Sequence, residues 1–515
     1  MIFPFPASAA FAALACATVL TGHAGAEPQV VTYEDFGAVG DGVTDDLPAI
    51  RRAHEHANKH GLPVRSDPEA VHHLGRRAIT ADIATDTDWS TTRFIIDDSE
   101  GVEDNKRPLF RVRSLLEPIP LEIDRLGRGQ RQLDARPPMD CLVLVENRNR
   151  RIFIRRGGNQ NDGTPQREVF ILRRDGTIDG GIDWEYDAIT RVEARPIDPD
   201  LLILRGGRFT HIANRMVHEC EKGRSNYWAR NIRVERSNTT VEGLTHRVTG
   251  ETDVGQPHVG FLMASQAAGV TFRDCEVDAR KTYYKTGTGG TTVPMGTYGY
   301  QANMVVNFHM KNCRTGNGIH DRTRWGVAAT NFMKNILIED SELSRMDVHQ
   351  GVSGDYVIRN STLGHAGLNA IGRGRLVVED STIHSNRLIS FRRDYGSTWE
   401  GEVIIRDSRW IPPNAGRVPM FLMHNDGAHD FGYPCHMPRV IDIDGLFVDD
   451  SGTPRPLAFF GDALGPPDGE RPFPYRPGEI LEIGNIETAS GRDIEFGGSD
   501  ELADAIEVVD HRADG

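Results

Sequence analysis

Beyond residue 268 the chain carries six short runs of alternating apolar and polar residues: GVTFRDCEV, NFHMKNCRT, ILIEDSELS, YVIRNSTLG, LVVEDSTIH and VIIRDSRWI. Each reads apolar-x-apolar-x-[Asp/Asn]-[Ser/Cys], a strand with a fixed stop. The stops are Asp274, Asn312, Asp340, Asn360, Asp380 and Asp407, at intervals of 38, 28, 20, 20 and 27 residues. An interval near 20 is one minimal coil, and longer intervals carry loops. Period-two pairs such as Ile336/Ile338, Tyr356/Ile358, Leu376/Val378 and Val403/Ile405 mark half-buried strands. Identical strands at a recurrent interval stack about 4.8 Å apart, superposing their aliphatic side chains and their Asp/Asn/Ser/Cys turns. The predicted fold is all-β, a right-handed parallel β-helix.

A solenoid needs its apolar end covered. Asp46 to Ala57 reads as an amphipathic helix with apolar positions at 47, 50, 53 and 57, and this helix is predicted to cap the N-terminal end. The surrounding sequence VTYEDFGAVGDGVTDDLPAIRRAHEHANKHG, Val31 to Gly61, resembles the N-terminal signature of the pectate-lyase-like β-helix superfamily, which includes polygalacturonases and some phage tailspikes. The β-helix is expected over 27–450, with hairpin or early-coil insertions in the less regular stretch from Arg136 to Thr210. Residues 451–515, Pro-rich and then acidic, are expected to form a C-terminal cap or tail.

Composition narrows the partners. A formal charge of -15 without a Lys/Arg-rich block argues against nucleic acid and anionic membranes. The apolar stretch Ala7 to Leu20, followed by Ala24-Gly25-Ala26, reads as a secretory signal over 1–26 and implies a secreted or periplasmic protein; Leu14-Ala15-Cys16 leaves lipid anchoring as the alternative. No other stretch is long enough to span a bilayer. Cys141, Cys220, Cys275, Cys313 and Cys435 then remain, in no zinc spacing. Cys275 and Cys313 share one place in the repeat, and are expected either to stack as buried thiols or to bridge.

Polar groups concentrate at the start of the strand that follows each stop. If Val348, Leu368 and Leu388 point inward, the outward row holds Asp347 and His349, then Asn369, then Arg392, Arg393, Asp394 and Tyr395. His320 and Asp321 fall one coil earlier. Two carboxylates on adjacent coils suit the roughly 5–9.5 Å separation that glycosidases use; Asp321 and Asp347 are the first pair, with Asp394 as substitute. His320, His349 and His365 are candidates to tune those groups or act as bases. Arg322, Arg345, Arg392 and Arg393 suit a uronate carboxylate, while Trp325, Tyr395 and Trp399 either stack on sugar rings or fill the wall. The Gly/Thr-rich segment Lys281 to Tyr300 is expected to wall a groove.

The resemblance implies an enzyme acting on a polysaccharide, either a hydrolase with paired Asp residues or a lyase with a Lys, Arg, His or Tyr base, often with calcium. The Asn-Thr-Asp, Gly-His-Gly and Arg-Ile-Lys motifs of polygalacturonases are absent. The expectation is a glycoside hydrolase needing no cofactor. A lyase with His349 or Tyr395 as base is the alternative, and a non-catalytic glycan-binding protein the third reading.

Overall fold

The computed structural model describes residues 29–155, 161–216, 226–287, 290, 292–325, 327–392, 395–413, 418–423, 431–452, 456–461 and 475–511. The expected signal segment, Cys220, Arg393, Asp394 and most of the Pro-rich stretch lie outside them. Among the described residues, 30 strands join in one wound sheet in which each pairing is parallel.

The register follows the stops. Arg273, Lys311, Glu339, Arg359, Glu379 and Arg406 lie each over the last, one residue before the stop that was read from sequence. All six stops have positive φ, between 43° and 54°. This is the left-handed region that Asp and Asn tolerate best among side-chain-bearing residues. Their side chains form ladders: Asn312 donates to Asp274 at 2.6 Å and Asn360 to Asp340 at 2.7 Å. The following Ser hydroxyls run in series, with Ser341 N–H donating to Ser361 Oγ at 3.0 Å and Ser361 N–H to Ser381 Oγ at 3.1 Å. Cys275 and Cys313 are buried free thiols in the same place. Just before the stops, the outward side chains from Lys311 to Arg406 alternate in charge; Lys311 meets Glu339 at 3.2 Å, and Arg359 pairs with Glu379.

The cap helix spans Leu47–His60, with Pro48 in its first turn and Gly61 closing it at φ 67°. Leu47, Ile50, Ala53 and Ala57, the four expected apolar positions, are fully buried. Asp46 belongs to this cap: it accepts N–H groups from Val39 and Gly40 and meets His72 Nδ1 at 2.7 Å.

Two features complete the layout. After Phe110–Arg113 the chain leaves the wall to form a three-stranded antiparallel sheet, Cys141–Ile152, Thr164–Leu172 and Arg191–Pro196. One face has its own core around Val143, Val145, Phe170 and Tyr186; the other lays Leu142, Leu144, Val169 and Ile171 on wall residues Ala268 and Val306. The chain rejoins the wall at Leu202–Arg205, within the region read as insertion. At the other end the wall continues beyond residue 450: Ile480–Ile483 pairs with Val440–Val448 in parallel, and Glu507–Asp510 pairs in turn with Ile480–Ile483.

Candidate functional site

The site grows from an outward row on one wall. Asp347 pairs in register with Asn369, and Asn369 with Ser390. Val348, Leu368 and Leu388 are all buried in the core as expected, but the residues superposed on Leu368 are Met346 and Ile389 rather than Val348 and Leu388. Between Leu343 and Arg345 the pairing interval lengthens from 20 to 22 residues, opposite Gly367 at φ 64°, and this sets Met346 rather than Val348 beside Leu368.

Asp347 is wholly buried. Its Oδ1 accepts from Arg392 Nη1 at 2.6 Å; its Oδ2 meets His349 Nε2 at 2.6 Å and Arg345 Nη2 at 2.9 Å. Burial acts to raise its pKa, but the charges of Arg345 and Arg392, with the hydrogen bond from His349, outweigh burial and hold the carboxyl well below the usual range. An ionised carboxylate only accepts, so His349 Nε2 is the donor, and a neutral ring keeps its lone pair on Nδ1. The imidazole side chain is one-fifth exposed. Burial, aided by Arg392 and Arg345 against the opposing pull of Asp347, lowers its pKa and favours that neutral form.

Aromatic groups complete the cluster. Tyr298 lies edge-on to His349 with ring centroids 6.0 Å apart, and stacks on Tyr227 at 6.0 Å. Burial, then the nearby Tyr227 and Asp347, push the Tyr298 phenol well above its usual pKa, so it stays protonated. Arg345 lies 4.7 Å from the Trp325 ring centroid. A Cβ at Gly296 would come within 2.7 Å of Trp325 Nε1 and 3.0 Å of the Tyr298 hydroxyl, so the bare glycine admits both. Arg392 lies 5.4 Å from the Tyr395 ring centroid, and Arg155 of the inserted sheet 5.1 Å from the same centroid.

The fold thus gathers Asp347, His349, Arg345, Arg392, Trp325 and Tyr395 from the expected set. Tyr298, Tyr227 and Arg155 were not singled out in the sequence. Tyr298 falls in the segment expected to wall a groove, the one signal that pointed toward it. Asp321 is bound within its own turn, accepting from Thr323 N–H at 2.9 Å, the Thr323 hydroxyl at 2.7 Å and Arg324 at 3.2 Å. These bonds, the Thr323 hydroxyl first, lower its pKa. The expected Asp321/Asp347 pair therefore has no exposed proton donor: one carboxylate is buried among cations and the other is ionised in a turn. His320 packs edge-on against His384 at 4.8 Å, and His365 Nδ1 lies 2.9 Å from the Ile319 carbonyl. Arg322 is exposed, and Asn369 is buried, donating to the Ala366 carbonyl at 3.2 Å. Trp399 is a wall residue, fully buried with its indole N–H on the Glu402 carbonyl.

Inside the early coils, Asp98, His211 and His258 bring ligand-type atoms together. Arg230 donates to Asp98 at 3.0 Å and Arg280 to His211 Nδ1 at 2.6 Å, so protein cations already occupy this internal network.

No protein-family description and no curated protein matches the sequence. Among solved structures, the tailspike gp61 of Pseudomonas phage phi297 is similar at 13% identity, over 93% of this chain and 83% of that one, with a TM-score of 0.52. The LKA1 Pseudomonas phage tailspike gp49 follows at 12% identity, over 93% and 84%, with a TM-score of 0.45. The A-module of the Azotobacter vinelandii mannuronan C-5 epimerase AlgE4 has 13% identity, over 94% and 97%, with a TM-score of 0.39. In wall, register and cap, the chain is a right-handed parallel β-helix.

Proposed function

We propose that the protein acts on an extended polysaccharide containing uronic acid, and cleaves it by β-elimination at the His349 cluster. The observation that carries this reading is the saturation of Asp347. A buried carboxylate bound by two arginines and an imidazole N–H serves as an anchor that orients His349 and balances charge, as the acid of a catalytic triad does.

In this reading His349 Nδ1 takes the proton next to the uronate carboxylate. The electron pair left on that carbon forms a carbon–carbon double bond as the bond to the glycosidic oxygen breaks. Tyr298, protonated over a wide pH range, gives its proton to the departing oxygen, and solvent carries the proton from His349 back to Tyr298. Arg392 and Arg345 place positive charge where the carboxylate gains electron density. Because arginines supply that neutralisation, cleavage is expected to survive calcium chelation.

A paired-carboxylate hydrolase has less support, since neither Asp321 nor Asp347 offers an accessible acid and Asp394 lies outside the described residues. Purified protein incubated with a panel of acidic and neutral polysaccharides separates the readings. Elimination yields one ultraviolet-absorbing unsaturated uronate for each new reducing end. Reducing ends without absorbance would overturn it in favour of hydrolysis, and binding without cleavage would favour an adhesive role.

A further inference from the structure

The inserted sheet is anchored to the wall more firmly than a loop ornament requires. Lys334, 3% exposed, sends its ammonium from the wall into the insertion, 2.6 Å from the Gly181 carbonyl, 3.1 Å from Asp183 and 3.3 Å from Glu168. One coil on, the Ser353 hydroxyl donates to Asp183 at 2.6 Å; one coil further, Arg373 covers Trp184 at 4.1 Å. These three wall residues sit on successive coils and grip one edge of the insertion. Burying an ammonium is costly unless it is well paired, so this contact specifies one seating.

From that seat the insertion reaches the site. Phe153, just past Cys141–Ile152, holds φ 53°, an uncommon conformation for a bulky side chain. Its ring is clamped by Tyr433 at 5.1 Å, Phe332 at 5.7 Å and Tyr395 at 6.1 Å. The wall is shaped to receive it: a Cβ at Gly351 would press on Phe153 at 3.3 Å. Two residues later Arg155 lies against the Tyr395 ring, the ring that also backs Arg392. Arg155, Arg345 and Arg392 thus bring three guanidinium groups against the single carboxylate of Asp347, a local positive excess on a chain of formal charge -15 that favours an anionic polymer.

We propose that the inserted sheet is the specificity arm of this site: Arg155 binds the carboxylate of a sugar unit neighbouring the one that reacts, and Lys334 holds the arm in position. The inference rests on the lyase reading for its substrate class, and predicts that the chain prefers runs of uronic acid to isolated residues. A guanidinium matches a carboxylate in a forked geometry that neither Lys nor Gln reproduces.

The test measures steady-state cleavage, and binding of uronic-acid oligosaccharides and their carboxyl-reduced counterparts, by wild type, Arg155→Gln, Arg155→Lys and Lys334→Met. Arg155→Gln is expected to raise KM and Kd for the acidic ligand by about tenfold with kcat within about twofold, Arg155→Lys to lie between, and neither to change binding of the reduced ligand. Lys334→Met is expected to expose the insertion to proteolysis and raise KM in the same sense. Unchanged KM and Kd in Arg155→Gln overturn the inference, as does an unchanged KM in Lys334→Met when its insertion is cleaved faster. If wild type cleaves no polyuronate while Arg155→Gln still weakens acidic binding, the arm stands and the elimination reading falls. If wild type binds no acidic ligand, both fall.

Discussion

Asp347 shows how far a side chain's role depends on its neighbours. Asp347→Asn keeps the shape but removes the charge that Arg345, Arg392 and His349 share, so two losses are expected together. Activity falls by about 10²–10⁴-fold as His349 loses its orienting acceptor. Stability falls by about 3–5 kcal/mol, as for a broken buried ion pair, seen as a lower urea midpoint. His349→Ala is expected to lose activity to a similar degree with a much smaller stability change, because this ring is partly exposed. The pH profile carries the same signature. A base must be neutral, and burial lowers the His349 pKa from 6.5, so the acid limb of kcat/KM is expected below 6.5. The raised Tyr298 pKa puts the alkaline limb above 10. The density of Asp, His and Arg in this stretch was legible in the sequence, and so was the sharing of one wall. Which group does the chemistry was not. Arg392 is 45 residues from Asp347 in sequence, and the saturation of the carboxylate exists only once the coils are stacked.

At the scale of elements, the turn ladders were the most legible feature, because one backbone conformation is imposed at each stop and only Asp or Asn meets it cheaply. Ser361 illustrates the coupling: its hydroxyl accepts from Ser341 N–H and donates to the Arg359 carbonyl at 2.7 Å. Ser361→Ala strands a buried N–H, and is expected to cost about 1–3 kcal/mol, measurable by denaturant unfolding. The inserted sheet was legible only as irregularity. Its strands alternate like wall strands, and the polar contacts of Lys334 and Arg373 that seat it join residues more than 150 positions apart. The bulge opposite Gly367 leaves no mark in the sequence for a simpler reason: a two-residue addition leaves the period-two pattern intact.

For the whole molecule, the interior of the cap and the early coils sets the response to acid. His54, His211, His246 and His258 are buried, and burial lowers each pKa, that of His54 to about 3. The unfolded chain takes up these protons near 6.5, whereas the folded chain does so only at lower pH. Stability is therefore fully present above 6.5 and declines as pH falls below it, by about 1.4 kcal/mol per pH unit for each such histidine. A urea midpoint that falls steadily from pH 7 to pH 5 is the expected result, and a flat one would rule out these groups as the source.

The alternating column Lys311, Glu339, Arg359, Glu379, Arg406 gives the solenoid a parity. Excising 340–359 removes one storey without disturbing the aliphatic stacks, yet it sets Glu339 upon Glu379. Excising 340–379 sets it upon Arg406, and the signs agree again. Shortening by an odd count is penalised and by an even count forgiven, by a few tenths of a kcal/mol per mismatch, so this wall tolerates gain or loss of coils most readily in twos.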